Sequence, residues 1–408
     1  VFAAFVPLAF AADLLAQPEY EAVLVEAFQT DYPRRTSILN DISDTGLAVG
    51  WATDLTQTFS ISAFSWSLEG DKVRLPDSQI DRAINSRGAA AGAMLVYTPW
   101  DGLTRTIPGV DTTHGRMRST GLNDSLTAVG YAEISSGSNS DRLNQVPFWW
   151  DLATGTHPVP IPDARELLRL NNAGLAVGNI RHLSGGISEA FTYDVHTGEY
   201  VNLGAILPPI AASRPFSTTA DVAESGLVAG NLLVFNGATN ARTVFTWSAE
   251  AGFTVQDVLT GPECDFIAQG VNSAGVVVGY RRLPTNDVSP NTALIWDVAH
   301  GVRDLNSLVE LPAGFVLRRA VKINENGWIA AQGIFTAQPS YTRGVVLRPL
   351  GAGCPADFNS DGQADFFDYL DFAQAFDASD PSADFNGDGQ IDFFDYLDFA
   401  QAFDLGCA

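Results

Sequence analysis

LNNAGLAVG (Leu170–Gly178) recurs in altered form along the chain, and that recurrence decides the fold. Upstream lie ISDTGLAVG (Ile42–Gly50), INSRGAAAG (Ile84–Gly92) and LNDSLTAVG (Leu122–Gly130). Downstream follow VAESGLVAG (Val222–Gly230), VNSAGVVVG (Val271–Gly279) and INENGWIAA (Ile323–Ala331). The closing positions are 42, 38, 48, 52, 49 and 52 residues apart. Asn tolerates left-handed backbone and Gly supplies positive φ, so Asn-x-x-Gly reverses one strand into the next. Three copies depart from the pattern: Leu126 replaces the Gly, and Ser43 and Ala223 replace the Asn. Those turns are candidates for a different shape.

Each turn is followed by an apolar–aromatic strand whose aligned ring positions are Trp66, Tyr97, Trp150, Tyr193, Trp247 and Trp296, with Leu347 in the last copy. One such position per unit reads as core between units rather than as a ligand box. A short strand closes a unit, as in HPVPI (His157–Ile161), EYVNL (Glu199–Leu203) and GVRDL (Gly301–Leu305). With the strand entering the turn, each unit holds four short strands, and none shows a long helical period. Four strands at this period describe one blade of a β-propeller. The seventh unit ends after a third strand (Gly344–Leu350), while a spare strand, Tyr20–Phe28, precedes the first turn. Pairing the two would close a seven-bladed ring over residues 20–351 and remove its sheet edges.

These repeats resemble the HAF repeats of secreted bacterial proteins, whose units run roughly I-N-x-x-G-x-V-V-G and then A-F-x-W. Ala63-Phe64-Ser65-Trp66 and Ala190-Phe191-Thr192-Tyr193 carry the second element. The resemblance implies an extracellular propeller-like domain and brings no catalytic residues with it.

Composition narrows the partners. The net charge is −24, and residues 354–408 hold 13 Asp and no Lys, Arg or Glu, which leaves 34 acids against 23 bases, or −11, upstream. Phosphate binding needs clustered cations, so nucleic acid and anionic membranes are poor partners. No apolar stretch is long enough to span a bilayer as a helix. The apolar run Val1–Ala12 reads as the remnant of a secretory signal peptide over residues 1–16. Of three cysteines, Cys354 and Cys407 bracket the tail and are expected to pair, whereas Cys264 reads as a buried, inert thiol.

That tail contains two near-identical loops, DFNSDGQADFFD from Asp357 and DFNGDGQIDFFD from Asp384. Oxygen-bearing side chains at loop positions 1, 3, 5, 9 and 12, with Gly at 6, suit a hard cation and predict two Ca²⁺ sites. The expected ligands are Asp357, Asn359, Asp361, Asp365 and Asp368 in the first loop and Asp384, Asn386, Asp388, Asp392 and Asp395 in the second. Gln363 and Gln390 would contribute backbone carbonyls. Helical projection of Phe366–Phe376 groups Tyr369, Phe372, Ala373 and Phe376 on a core face, with Phe366 and Leu370 at its border. Phe367 falls on the opposite side with Asp371 and Gln374, and its duplicate Phe394 with Asp398 and Gln401. Repeated exposed rings suggest docking anchors.

Duplicated loop–helix halves of this kind, bracketed by Gly353-Cys354 and Gly406-Cys407, resemble dockerin modules. The resemblance implies a calcium-dependent attachment module over residues 353–408 and a cohesin-like partner. Bulky Phe stands where classical cellulosomal dockerins often carry small hydroxyl residues, so the expected partner is a cohesin-like or another envelope receptor. No nucleophile elbow, phosphate loop or zinc helix appears. Asp101, Asp111, Glu133 and Asp163 are acids without a supporting motif. The expected protein is therefore a secreted or cell-surface monomer: a non-catalytic propeller, with a glycan or protein ligand, delivered by its tail. The alternative is a glycan-active hydrolase with the same anchor.

Overall fold

The computed structural model describes residues 19–28, 35–54, 61–68, 72–110, 116–133, 145–182, 188–207, 216–235, 240–256, 265–282, 291–350, 356, 358, 364, 366–386 and 390–405. The chain divides into two compact units, Val1–Arg348 and Pro349–Ala408. The first is a seven-bladed β-propeller built from seven four-stranded sheets. Blade 4 is typical: Ala164–Leu170 is the inner strand, followed outward by Leu175–Arg181, Ser188–Asp194 and Tyr200–Asn202. The seventh sheet holds Phe315–Ile323, Ile329–Phe335 and Thr342–Pro349, with Tyr20–Val25 in its outermost place. Inner strands of consecutive blades touch one another around the full circle and so line the axis.

The ring positions occupy one register in all seven blades. Trp66 pairs with Ala48, Tyr97 with Ala90, Trp150 with Ala128, Tyr193 with Ala176, Trp247 with Val228, Trp296 with Val277 and Leu347 with Ile329. All but Tyr97, which is half-buried, are buried, so they form core as the sequence implies. The closing Gly has a reason that a turn motif does not reveal. A Cβ at Gly50, Gly130 or Gly279 would stand 1.8, 1.9 or 2.0 Å from a carbonyl oxygen of the inner strand, so only a bare backbone fits there.

Turn shape holds through the departures. Leu126 takes φ +64° where its counterparts Gly174 and Gly275 take +86° and +78°, so the substitution strains the turn without reshaping it. Blade 2 is the slightest, with an inner strand of only Ala83–Ile84.

In the tail, helices Phe366–Asp377 and Phe393–Leu405 enclose a small aromatic core with approximate twofold symmetry. Phe372 and Phe399 stack at 4.0 Å between centroids and 7° between planes. Phe358 meets Phe372, and Phe385 meets Phe399, each edge-on at 5.5 Å. Tyr369 and Tyr396 hydrogen bond hydroxyl to hydroxyl. Phe358 and Phe385, the second residues of the two loops, thus belong to the core that the helices share. Phe366 and Leu370 lie outside the core rather than at its border, 65% and 45% exposed. The rings that meet between the helices, Tyr369, Phe372 and Phe376 against Tyr396, Phe399 and Phe403, lie on a stripe that excludes both.

Candidate functional site

The propeller axis is built by a repeated bulge. In six blades the pairing register of the inner strand shifts two residues before the Asn position, as between Leu39 and Asp41 or between Ala268 and Gly270. A bulge re-aims the next side chain. The residues at this position are Asp41, Ala83, Gly121, Arg169, Asp221, Gly270 and Lys322 in blades 1 to 7. Two acids and two bases thus share the axis with three small residues. Lys322 donates its ammonium to Asp221 Oδ2, which also accepts the Val271 N–H at 3.1 Å. Asp41 accepts the N–H groups of Ile42 and Ile84, both at 3.1 Å. Burial raises the Asp41 pKa against the pull of Arg169 and Lys322. Burial alone would lower the Lys322 ammonium, but Asp221 and then Asp41 overcome it and the net direction is upward.

Next along the axis lies a ring that sequence reading credited only with turn formation. Asn85, Asn123 and Asn171 donate their side-chain amides to the carbonyls of Asn123, Asn171 and Ala223 in the following blades, at 3.0, 3.3 and 3.1 Å. Asn272 reaches Asn324 at 3.4 Å, and Asn324 reaches Ser43 at 2.8 Å across the seam between blades 7 and 1. Each Asn also accepts an N–H four residues on, as Asn324 does from Trp328 at 2.8 Å.

Acids of the same turns stand at the mouth. Asp44 accepts the Glu325 N–H, Asp124 the Ser86 N–H and Glu224 the Asn172 N–H, at 2.9, 2.8 and 2.9 Å. Glu325 accepts from Glu224 and Ser273 at 2.9 and 2.8 Å. Burial, with repulsion from Glu325, raises the Asp44 pKa, and Glu224 is raised in the same way. The cavity behind them measures about 70 Å³, room for water-sized groups. These carboxylates bind blade to blade.

Among the described residues the motif-free acids fall in separate segments. Asp101 sits in a blade 2 hairpin, where Arg105, Thr98 and the Leu103 N–H hold its pKa well below the usual range. Glu133 faces the Gln145 amide at 3.4 Å in blade 3. Asp163 occupies a left-handed turn, φ +59°, 3.7 Å from Arg165. Asp111 lies outside the described residues.

In the tail, Asp368 and Asp395, the twelfth loop residues, are buried. Asp395 accepts the N–H groups of Asp392, Phe385 and Asn386 at 2.8, 2.8 and 3.1 Å, and these bonds, that of Asp392 foremost, lower its pKa. An ionised, inward-turned carboxylate with further oxygen donors at Asp384, Asn386 and Asp392 is a donor set that fits Ca²⁺. Among the described residues no cluster of three or more His, Cys, Asp or Glu stands at metal-holding geometry. Asp357, Asn359, Asp361, Gln363, Asp365 and Asp388 lie outside the described residues, as do Cys264, Cys354 and Cys407. Phe367 and Phe394 are each 64% exposed, with Asp371, Gln374, Asp398 and Gln401 exposed beside them. Phe366 and Phe393 enlarge both patches at 65% each, an extension the helical projection missed.

No family model and no curated protein matches the chain. Solved structures do. An oligogalacturonate lyase in complex with manganese superposes with TM-score 0.51 at 7% identity, covering 82% of this chain and 98% of its own. The β-propeller domain of the trilobed protease from Pyrococcus furiosus gives TM-score 0.43 at 11% identity, covering 77% and 85%. Prolyl endopeptidases give 0.46 at 11%, covering 76% of this chain and 50% of theirs. At 7% identity the likeness to the lyase is one of fold and says nothing of activity. Among the described residues no helix is long and apolar enough to cross a membrane.

Proposed function

We propose that this chain is a secreted binding protein. Its propeller recognises a ligand, and its tail attaches it through a calcium-dependent, dockerin-like module to an envelope receptor. The observation that carries the reading is the duplicated aromatic surface of the tail. Phe367 and Phe394, each 64% exposed, stand on equivalent helix faces while their neighbours Phe372 and Phe399 are fully buried. Exposed rings beside a satisfied core act as anchors for a partner. Calcium would neutralise the loop carboxylates and fix the helices that present these rings; the residues to hold it are those of the two loops. The N-terminal strand at the outer edge of blade 7 supports a ring closed by joining the two ends of the repeat array.

A pull-down from the secreting organism's envelope tests the attachment, comparing calcium with chelator and wild type with the double variant Phe367→Ser/Phe394→Ser. Capture of one receptor that is lost in both comparisons is the expected result. Capture that survives the double variant would refute the anchor assignment. Turnover on polysaccharide panels would favour the glycan-active hydrolase instead.

A further inference from the structure

A second cavity, about 380 Å³, opens over the inner strands of blades 4 to 7 at the end opposite the Asn turns. That volume lies in the range of small-molecule sites. Its charged lining consists of Arg169 and Arg242, with no acid, although the propeller sequence carries an excess of acids. Among the described residues the Arg242 side chain has neither a hydrogen bond nor an ion pair. Its own N–H is held by Asp265 at 3.1 Å, and the other oxygen of that carboxylate stands 3.7 Å from Arg282. Arg169 donates through one terminal nitrogen to the carbonyls of Thr120 and Leu168, and its buried Nε has no partner. A guanidinium left in a partly desolvated cleft favours an anion that fits its planar fork.

The remaining lining selects among anions. Asn179 and Asn231 are committed to neighbouring blades: their side-chain oxygens accept the N–H groups of Thr219 and Ala268 at 2.9 and 2.8 Å. Leu168, Phe216, Leu233, Ile267 and Val321 supply apolar walls. A neutral polyol would find few uncommitted hydrogen-bonding groups here, whereas an acid with an apolar body matches both surfaces.

We propose that this cleft binds a small organic carboxylate with a compact apolar body, its carboxylate on Arg242 and Arg169 and its body against Leu233, Ile267 and Val321. The proposal rests on the propeller being a binding domain and names the class of ligand.

The test titrates the full chain calorimetrically with phenylacetate, with its neutral isostere phenylacetamide, and with inorganic phosphate. Phenylacetate should bind more tightly than either of the others. Arg242→Gln should weaken phenylacetate by about tenfold or more, the loss expected for one charge-assisted contact, while leaving phenylacetamide and the melting temperature unchanged. Arg242→Lys, which keeps the charge, should retain part of the affinity, and it serves as the second variant should the Gln protein fold poorly. Equal binding of acid and amide, phosphate as tight as phenylacetate, indifference to both substitutions, or no binding at millimolar probe would each overturn the proposal. Chemical conversion of the probe would instead overturn the binding-domain reading. Failure of the probe with receptor capture intact would sink the carboxylate site alone.

Discussion

Replacing Asn324 by Ala tests whether the Asn ring holds the propeller together. The side chain is 3% exposed and makes two bonds of 2.8 Å, one to the Ser43 carbonyl across the seam and one from the Trp328 N–H. Ser43 O keeps the Gly46 N–H at 3.0 Å, so the acceptor side loses only one net bond, about 1 kcal/mol. The half-buried Trp328 N–H loses its partner, which adds about 1–2 kcal/mol because water reaches it only in part. Asn324→Ala should therefore lower the unfolding free energy by about 2–3 kcal/mol, read by urea titration with tryptophan fluorescence. The chain contains its own reverse experiment at Ala223, whose carbonyl accepts from Asn171 but which has no side chain to pass the pattern on. Ala223→Asn should supply bonds to the carbonyl of Asn272 and from the N–H of Leu227, raising stability by about 1 kcal/mol. A loss below about 0.5 kcal/mol for Asn324→Ala, the range of an ordinary surface substitution, would refute the ring as a stabilising device.

Chelating calcium should abolish the helical circular dichroism of 366–377 and 393–405 while the propeller's strand signal persists, since the loops' Phe358 and Phe385 are part of the tail core; a tail indifferent to chelator contradicts the metal sites. Asp44 has a raised folded-state pKa, so its contribution is present in acid and is lost as pH rises through that pKa. Asp44→Asn should accordingly gain on wild type as pH climbs out of the ordinary carboxylate range, and a gap independent of pH would exclude this origin. Gly270→Ala would place a Cβ 2.9 Å from Lys322 Cα, and a cost of about 1–3 kcal/mol by thermal or urea unfolding is expected, against no effect if the blades can part.

Blade number and core positions were legible because both are local and periodic: a turn, a strand and one aromatic place per unit repeat along a single chain. The inter-blade use of Asn171 or Asn324 was not, because its partner lies a whole repeat away and the turn alone gives sufficient reason for Asn. Bulges left no compositional trace either: the residues skipped in the register are as unlike as Asn40, Thr120, Leu168 and Val321. In the tail the projection separated Phe372 from Phe367 correctly but assumed a wider core than two short helices provide, which misplaced Phe366 and Leu370. The carboxylate cleft draws on four inner strands, and no segment of sequence contains enough of it to be read.

Charge on the axis is costly to bury, and apolar fill of similar volume often serves stability as well. Its arrangement here suggests why it is present. Gly121 and Gly270 each precede, by one blade, a cation at the same position, Arg169 and Lys322. A Cβ on either glycine would meet the Cα of that cation's residue, at 3.1 Å for Gly121 and 2.9 Å for Gly270. The absence of a side chain on blade 6 lets Lys322 of blade 7 reach Asp221 of blade 5. Seven blades of similar sequence could pack in more than one order with similar apolar contacts. An axis on which glycine, cation and acid occur in one sequence around the circle penalises the wrong neighbours, because a displaced blade would bury an unpaired charge or drive a side chain into backbone. The most polar layer of the propeller thus supplies the information that its repeated core lacks.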